Sequence, residues 1–229
     1  MLDMAATLER ALDATEAQVV IIGRVGQDLS RWGMKYSHAA IAWKANPLVR
    51  WGVVHLLNEC GTADSHLYRE GLGAFFTDVI AYNALVLVPS AAAQARIAQS
   101  LSDGSAARLH SPRYNMVAYP FSDKYQNSNQ WVLETLALAK MNTGAPAPRA
   151  SSRSSVQAWL REKHFAPQRV EIGLLKRLGA DIFRANVTFD DQPTGQRMAG
   201  QIDTISVESI QHFWREIDPG SSAFVVRLP

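Results

Sequence analysis

Few residues in this chain have the types and spacing that catalysis needs, and they fall in two places. Ser128 stands in Lys124-Tyr125-Gln126-Asn127-Ser128-Asn129-Gln130-Trp131-Val132, which runs on into Leu133-Glu134-Thr135-Leu136-Ala137-Leu138-Ala139. Trp131, Val132, Leu136 and Ala139 recur near one helical face, and Asn127 and Ser128 are favoured N-cap types. The spacing predicts a helix opening at this point. Free N–H groups and the positive dipole end converge there, so a side chain at the helix start can be stabilised as an anion. The routine reading of such a serine is an N-cap; the sharper one is a nucleophile awaiting a base.

Six histidines could supply that base: His38, His55, His66, His110, His164 and His212. His38 lies in Tyr36-Ser37-His38-Ala39-Ala40-Ile41-Ala42-Trp43, a predicted strand whose small residues leave room beside an imidazole. It reads either as a buried histidine held by a backbone carbonyl or as a base. His55 is central in the next strand, 49–59, with Val53 and Leu57 on its own face. It is either half-exposed or faces His38 across the ladder. The other four fall in turns or on exposed helices. A His38–Ser128 pair oriented by His55 has the logic of nucleophile, base and base-orienting group. Asp28 and Glu59 beside the two histidines would be the one candidate metal set, but no ligand spacing supports it.

These residues must be positioned by alternating strands and helices. Leu2, Ala5, Leu8 and Leu12 predict an amphipathic helix, and 18–23 a buried strand. Gly26 to Gly33 reads as a turn with one helical turn ended by Gly33. Residues 36–43 and 49–59 pair most simply as antiparallel neighbours across Asn46-Pro47. Leu67 to Phe76 is expected to be a short helix or loop, 84–88 a strand stopped by Pro89, and 91–101 a helix. Gly144, Pro146, Pro148 and the serines from Ser151 to Ser155 mark 142–155 as the best linker. Helices over 156–163 and 207–216 and a strand over 223–227 close the chain. Antiparallel neighbours without regular βα alternation argue for an α+β class. A core over 1–145 and a linker with a C-terminal extension packed on it over 146–229 is the expected division.

With 229 residues, 47% hydrophobic and 19% charged, the composition is that of a globular domain. A net charge of +2 without a basic run argues against a nucleic-acid partner. The sole cysteine, Cys60, excludes an internal disulfide and a cysteine-based zinc site, and reads as a buried structural thiol. Gly23-Arg24-Val25-Gly26 matches no nucleotide-binding loop, and no cofactor is implied. No apolar run approaches the roughly 20 residues of a membrane span.

Three segments, Arg24-Val25-Gly26-Gln27-Asp28-Leu29, Tyr36 to Ala42, and Tyr125 to Val132, together resemble the bacterial domain of unknown function 2145. The resemblance extends from about Val19 to Thr188-Phe189-Asp190-Asp191-Gln192-Pro193. That family in turn resembles circularly permuted papain-like hydrolases, relatives of NlpC-type peptidases and of lecithin:retinol acyltransferase. The resemblance implies a permuted papain-like fold, with a central antiparallel sheet packed against the helix that starts at the nucleophile position. It also implies a thiol hydrolase or acyltransferase acting on an amide or ester of a peptide, peptidoglycan peptide or lipid, with His38 as base and His55 as the third polar member. The family motif reads Asn-Cys-Asn-Gln-Trp-Val, so this chain departs from it at Ser128, and the resemblance implies a Cys-to-Ser form of reduced or no activity, engineered or natural. Family members resemble exported proteins, which implies a periplasmic or secreted setting with the leader absent here; a cytoplasmic one stays open. The rival expectation is a non-catalytic module that binds a partner in the same cleft.

Overall fold

The computed structural model describes residues 1–44, 49–141, 152–171, 173 and 186–228. In chain order these form α1 (Leu2–Asp13), β1 (Val19–Val25), β2 (His38–Trp43), β3 (Gly52–Asn58), β4 (Ser65–Gly71), α2 (Leu72–Phe75), β5 (Ala81–Val88), α3 (Ala91–Ser102) and α4 (Ser128–Met141). They continue with α5 (Arg153–Glu162), β6 (Gln168–Glu171), α6 (Thr194–Met198), β7 (Gln201–Thr204), α7 (Val207–Ile217) and β8 (Ser222–Arg227). Six strands make one antiparallel sheet in the order β4-β3-β2-β1-β5-β8, and β6 and β7 pair separately. The α+β expectation holds.

Both faces of the sheet are covered, which is why β1 reads as an unbroken apolar run rather than an alternating one. Ile21, Ile41, Leu56 and Leu87 face α3, α4, α5 and α7, packing with Trp131, Leu136 and Trp214. Val20, Ala40, Val53 and Val86 face α1 and α2, packing with Met4, Leu8, Leu12 and Phe75. A Cβ at Gly23 would meet Val207 Cγ1 at 2.8 Å, so only glycine lets α7 cross β1 this closely. Among the described residues no helix is long and apolar enough to cross a membrane.

Two expectations need correction. Residues 65–71 form β4, a full partner of β3, where a helix or loop was expected; only Leu72–Phe75 is helical. The turn after β3, with Gly61 at φ 78°, makes the two strands a hairpin. Cys60 sits on that turn and is exposed, not buried, because the hairpin tip projects from the core. After Ser155, β8 pairs with β5, and α7 contributes Ile210, Phe213 and Trp214 to the main core. The linker expected over 142–155 lies outside the described residues up to 151; beyond that, the Ser152 side chain caps α5 by accepting from Ser155 N.

A buried ion pair ties α5 to α4. Glu134 is fully buried and accepts from Arg153 Nε at 3.0 Å, Gln126 Nε2 at 2.6 Å and Gln157 Nε2 at 2.9 Å. Arg153 also donates to the carbonyls of Asp123 and Tyr125 at 3.0 and 2.8 Å, so it fixes the loop that delivers the chain to Ser128. Burial raises the Glu134 pKa, and Arg153 opposes that rise. Arg153→Met is expected to lower stability by about 3–5 kcal/mol, because an unpaired carboxylate stays buried. Adding Glu134→Gln to it should recover part of the loss, measured by urea unfolding; equal or larger loss in the double variant would contradict this account. Cys60 is expected to react with a thiol reagent as fast in native protein as in urea, within about twofold.

Candidate functional site

The histidine pair is built by register. His38 opens β2 opposite Arg24, and His55 in β3 is opposite Tyr68. Alternation sends both imidazoles to the α1–α2 face, where ring centroids lie 5.8 and 5.7 Å from that of Phe75. His38 Nε2 and His55 Nδ1 are 2.9 Å apart, and His55 is 1% exposed, so it faces its partner rather than solvent. Glu70 in β4, diagonal to His55 on the same face, brings Oε1 to 3.0 Å from His55 Nε2. That approach lies off the N–H axis: His55 Nε2 makes no well-aligned hydrogen bond, and the carboxylate acts on the ring through its charge.

The order of partners sets the tautomers. A carboxylate beside His55 Nε2 favours the proton there, which leaves Nδ1 as acceptor. His38 Nε2 must then donate, and His38 Nδ1 carries the lone pair. Burial, then the neighbouring His55 and Arg24, holds the His38 pKa well below the usual histidine value, so the ring is a neutral base near pH 7. Of the four histidines expected on the surface, His110 departs: it is half-buried, 3.2 Å from Ser65 Oγ, with burial lowering its pKa. Asp28 turns back onto Ser30 N at 3.0 Å and Glu59 sits in the β3–β4 turn, so neither joins the histidines. Among the described residues no group of three or more His, Cys, Asp or Glu side chains is arranged to hold a metal ion.

The other half of the site is the start of α4. Asn127, not Ser128, is its cap: Asn127 Oδ1 accepts from Gln130 N at 2.8 Å, while Asn127 Nδ2 donates to Thr204 Oγ1 at 3.1 Å. Ser128 is the first helical residue, so its hydroxyl is released from capping. Asn129 makes the junction with the sheet. The Lys44 N–H bonds Gln18 on the β1 side, so by alternation Ala39 N–H points to the β3 side. There β2 and β3 have parted, since their last pair toward His38 is Ile41 with Val54. Asn129 Oδ1 fills the gap, accepting from Ala39 N at 2.8 Å, and its Nδ2 donates to Ile205 O at 3.1 Å.

The three predicted residues are therefore only partly assembled. His38 and His55 meet. No hydrogen bond joins the Ser128 hydroxyl to either imidazole among the described residues; the buried Tyr114 phenol is its neighbour. Burial raises the Tyr114 pKa and the Ser128 contact partly offsets this, so the phenol is neutral. Trp131 is core, fully buried with Nε1 donating to Ala106 O. Sequence reasoning missed Glu70, Tyr114 and Asn129. The Gly61-Thr62-Ala63-Asp64 turn was the available signal for Glu70, because a hairpin there makes 65–71 a strand beside His55. A cavity of about 470 Å³ adjoins the site, its wall including Ser37 and Asn129, the residues before His38 and after Ser128.

No curated protein matches the chain. Among solved structures it is similar to the metalloprotein yiiX of Escherichia coli O157:H7, of DUF1105, at 11% identity and a TM-score of 0.47, over 93% of this chain and 98% of that one. The model of the family described as "Uncharacterized protein conserved in bacteria (DUF2145)" matches residues 11–214. Spanning nearly the whole chain, that match means that the protein belongs to the DUF2145 family.

Proposed function

We propose that position 128 and the His38–His55–Glu70 chain form the reaction centre of a thiol-type hydrolase or acyltransferase acting on an amide or ester, on a papain-like fold in permuted order. The observation that carries this reading is the polarised relay, His38 Nε2 to His55 Nδ1 at 2.9 Å and His55 Nε2 to Glu70 at 3.0 Å. It commits His38 Nδ1 to accept a proton, and the reading requires position 128, at a helix start freed of its capping duty, to come within reach of it. In the reaction the side chain at 128 loses its proton to His38 Nδ1 and bonds to the carbonyl carbon. Negative charge on the carbonyl oxygen is met by the Ser128 backbone N–H, which has no intrahelical acceptor at the first turn. Collapse breaks the bond to the leaving amine or alcohol, which takes the proton from His38. Water or another acceptor then releases the acyl group by the same route in reverse. His55 and Glu70 are positioning residues that hold the tautomer. A cysteine suits the site better than Ser128, since a helix N-terminus and a histidine activate a thiol readily. This form is therefore of low activity.

A second reading is favoured by Tyr114. Because the Ser128 hydroxyl has that phenol as its neighbour, a native serine in a binding cleft without turnover accounts for the same contact.

Ser128→Cys in a Cys60→Ser background is expected to react with iodoacetamide at pH 7 at least about tenfold faster than a free cysteine. Adding His38→Ala should remove that excess, and a thiol no faster than a free one would sink the enzyme reading. The buried neutral imidazole has its own signature. Because the His38 pKa is lower folded than unfolded, the unfolded chain takes up the proton first as pH falls. Its contribution to stability is full above about pH 6.5 and is lost as pH falls through the folded-state pKa. His110 acts in the same direction, so His38→Gln should flatten, not abolish, the fall in urea midpoint below about pH 6.5. An unchanged slope would show that His38 is not held neutral by burial.

A further inference from the structure

We infer that the cavity beside the reaction centre receives a neutral apolar group carrying one hydrogen-bond acceptor, the acyl portion of the amide or ester substrate. The link to substrate rests on the function proposed above; the ligand chemistry rests on the cavity walls. The cavity lies between the Leu29–Ser37 segment, which leads into β2, and the small β6–β7 sheet. Trp32, Met34, Met116, Val187, Phe189 and Ile205 provide most of its surface. Several of these also belong to a separate apolar cluster with Val170 and Ile202. At about 470 Å³ it falls within the range of small-molecule sites.

The polar groups in the wall are already occupied. Ser37 Oγ accepts from Gly26 N at 2.9 Å, and Asn129 spends its carboxamide on Ala39 and Ile205. Thr204 Oγ1 accepts from Asn127, and Ser206 is closed in a reciprocal capping box with Ser209 at the start of α7. No lysine or arginine is among the described lining residues, and the exposed Asp28 carboxylate is turned onto Ser30 N. A phosphate or carboxylate would therefore find no cation there. Among the described lining side chains one buried polar atom is left without a partner, Trp32 Nε1. A buried N–H without an acceptor costs free energy, and a ligand oxygen would relieve it. An alkyl or aryl carbonyl compound fits both conditions, with its body against the apolar wall and its oxygen on Trp32.

The cavity meets the reaction centre through chain neighbours: Ser37 precedes His38 and Asn129 follows Ser128, while neither reacting side chain is among its described lining residues. The same carboxamide that seals the β2–β3 opening forms part of the cavity wall. Substrate binding and placement of the nucleophile thus share one residue.

The test uses the chain as it stands, with Ser128 in place and no turnover required. N-phenyl-1-naphthylamine, a neutral apolar fluorophore without an acceptor oxygen, is expected to bind, and octanamide to displace it. Val187→Trp, which fills the cavity, should weaken both at least about tenfold with an unchanged unfolding midpoint. Should that variant fold poorly, Phe189→Ala, which enlarges the cavity, should favour dodecanamide over octanamide relative to the parent. Trp32→Phe should weaken octanamide about threefold to tenfold, the worth of one hydrogen bond, while the fluorophore stays within about twofold. Fluorophore binding that survives Val187→Trp, no displacement by octanamide, or equal octanamide affinity in Trp32→Phe would each overturn the inference. The two ideas fail separately: a Ser128→Cys protein that is inert while octanamide binds removes the enzyme, and a reactive Ser128→Cys protein that ignores octanamide removes the cavity assignment.

Discussion

One backbone N–H, that of Ala39, sets the geometry on which the site depends. In an undivided sheet it would bond to β3, but β3 leaves β2 beyond Ile41, and a buried donor without an acceptor is costly. The Asn129 carboxamide takes the place of the missing strand carbonyl and passes its own N–H to Ile205. Three parts of the chain far apart in sequence are locked at this point: the His38 strand, the start of α4 and the segment leading into α7. The gap that Asn129 stops lies beyond the last β2–β3 pair, with His38 on the α1–α2 face and the body of α4 on the opposite one.

Around that junction, buried polar pairs fix what apolar packing leaves free. Hydrophobic contacts hold α4 against the sheet but do not determine where its first residue falls along the helix axis. The Glu134–Arg153 pair does, because Arg153 grips the carbonyls of Asp123 and Tyr125 just before the helix. Asn127 then ends the loop by capping the helix itself, which releases Ser128 from that duty. On the far side of the sheet, Glu70 and His55 do the same for His38 by fixing which of its nitrogens carries the proton. Each group acts at one remove from the atom that would react.

Much of this was legible in the residues. The Leu2–Leu12 spacing, the apolar run from Val19, the Gly33 stop and the alanine-rich helix from Ala91 are local patterns, and the observed elements follow them closely. The pairing of His38 with His55 followed from placing two strands antiparallel. Glu70 was hidden because 65–71 lacks a clean apolar alternation: β4 is an edge strand with mostly half-exposed side chains, so burial gives it little pattern to show. Cys60 misled for a related reason. Cysteine is a buried type on average, but the hairpin that projects it is fixed by pairing, not by its own neighbours.

The sequence by itself determined most of the element types, the α+β class and the family, and it singled out candidate site residues, because periodicity, capping, composition and short motifs act over a few residues. Only the tertiary structure decided that Asn127 caps α4, that Asn129 bridges helix and sheet, and that Glu70 stands behind His55. It also decided that the Ser128 hydroxyl lies against Tyr114 and not on an imidazole. These outcomes turn on strand register, on where two strands part and on which buried donors lack acceptors. Apart from the Asn127 cap, such relations join residues 14 to 90 positions apart, and no local pattern encodes them.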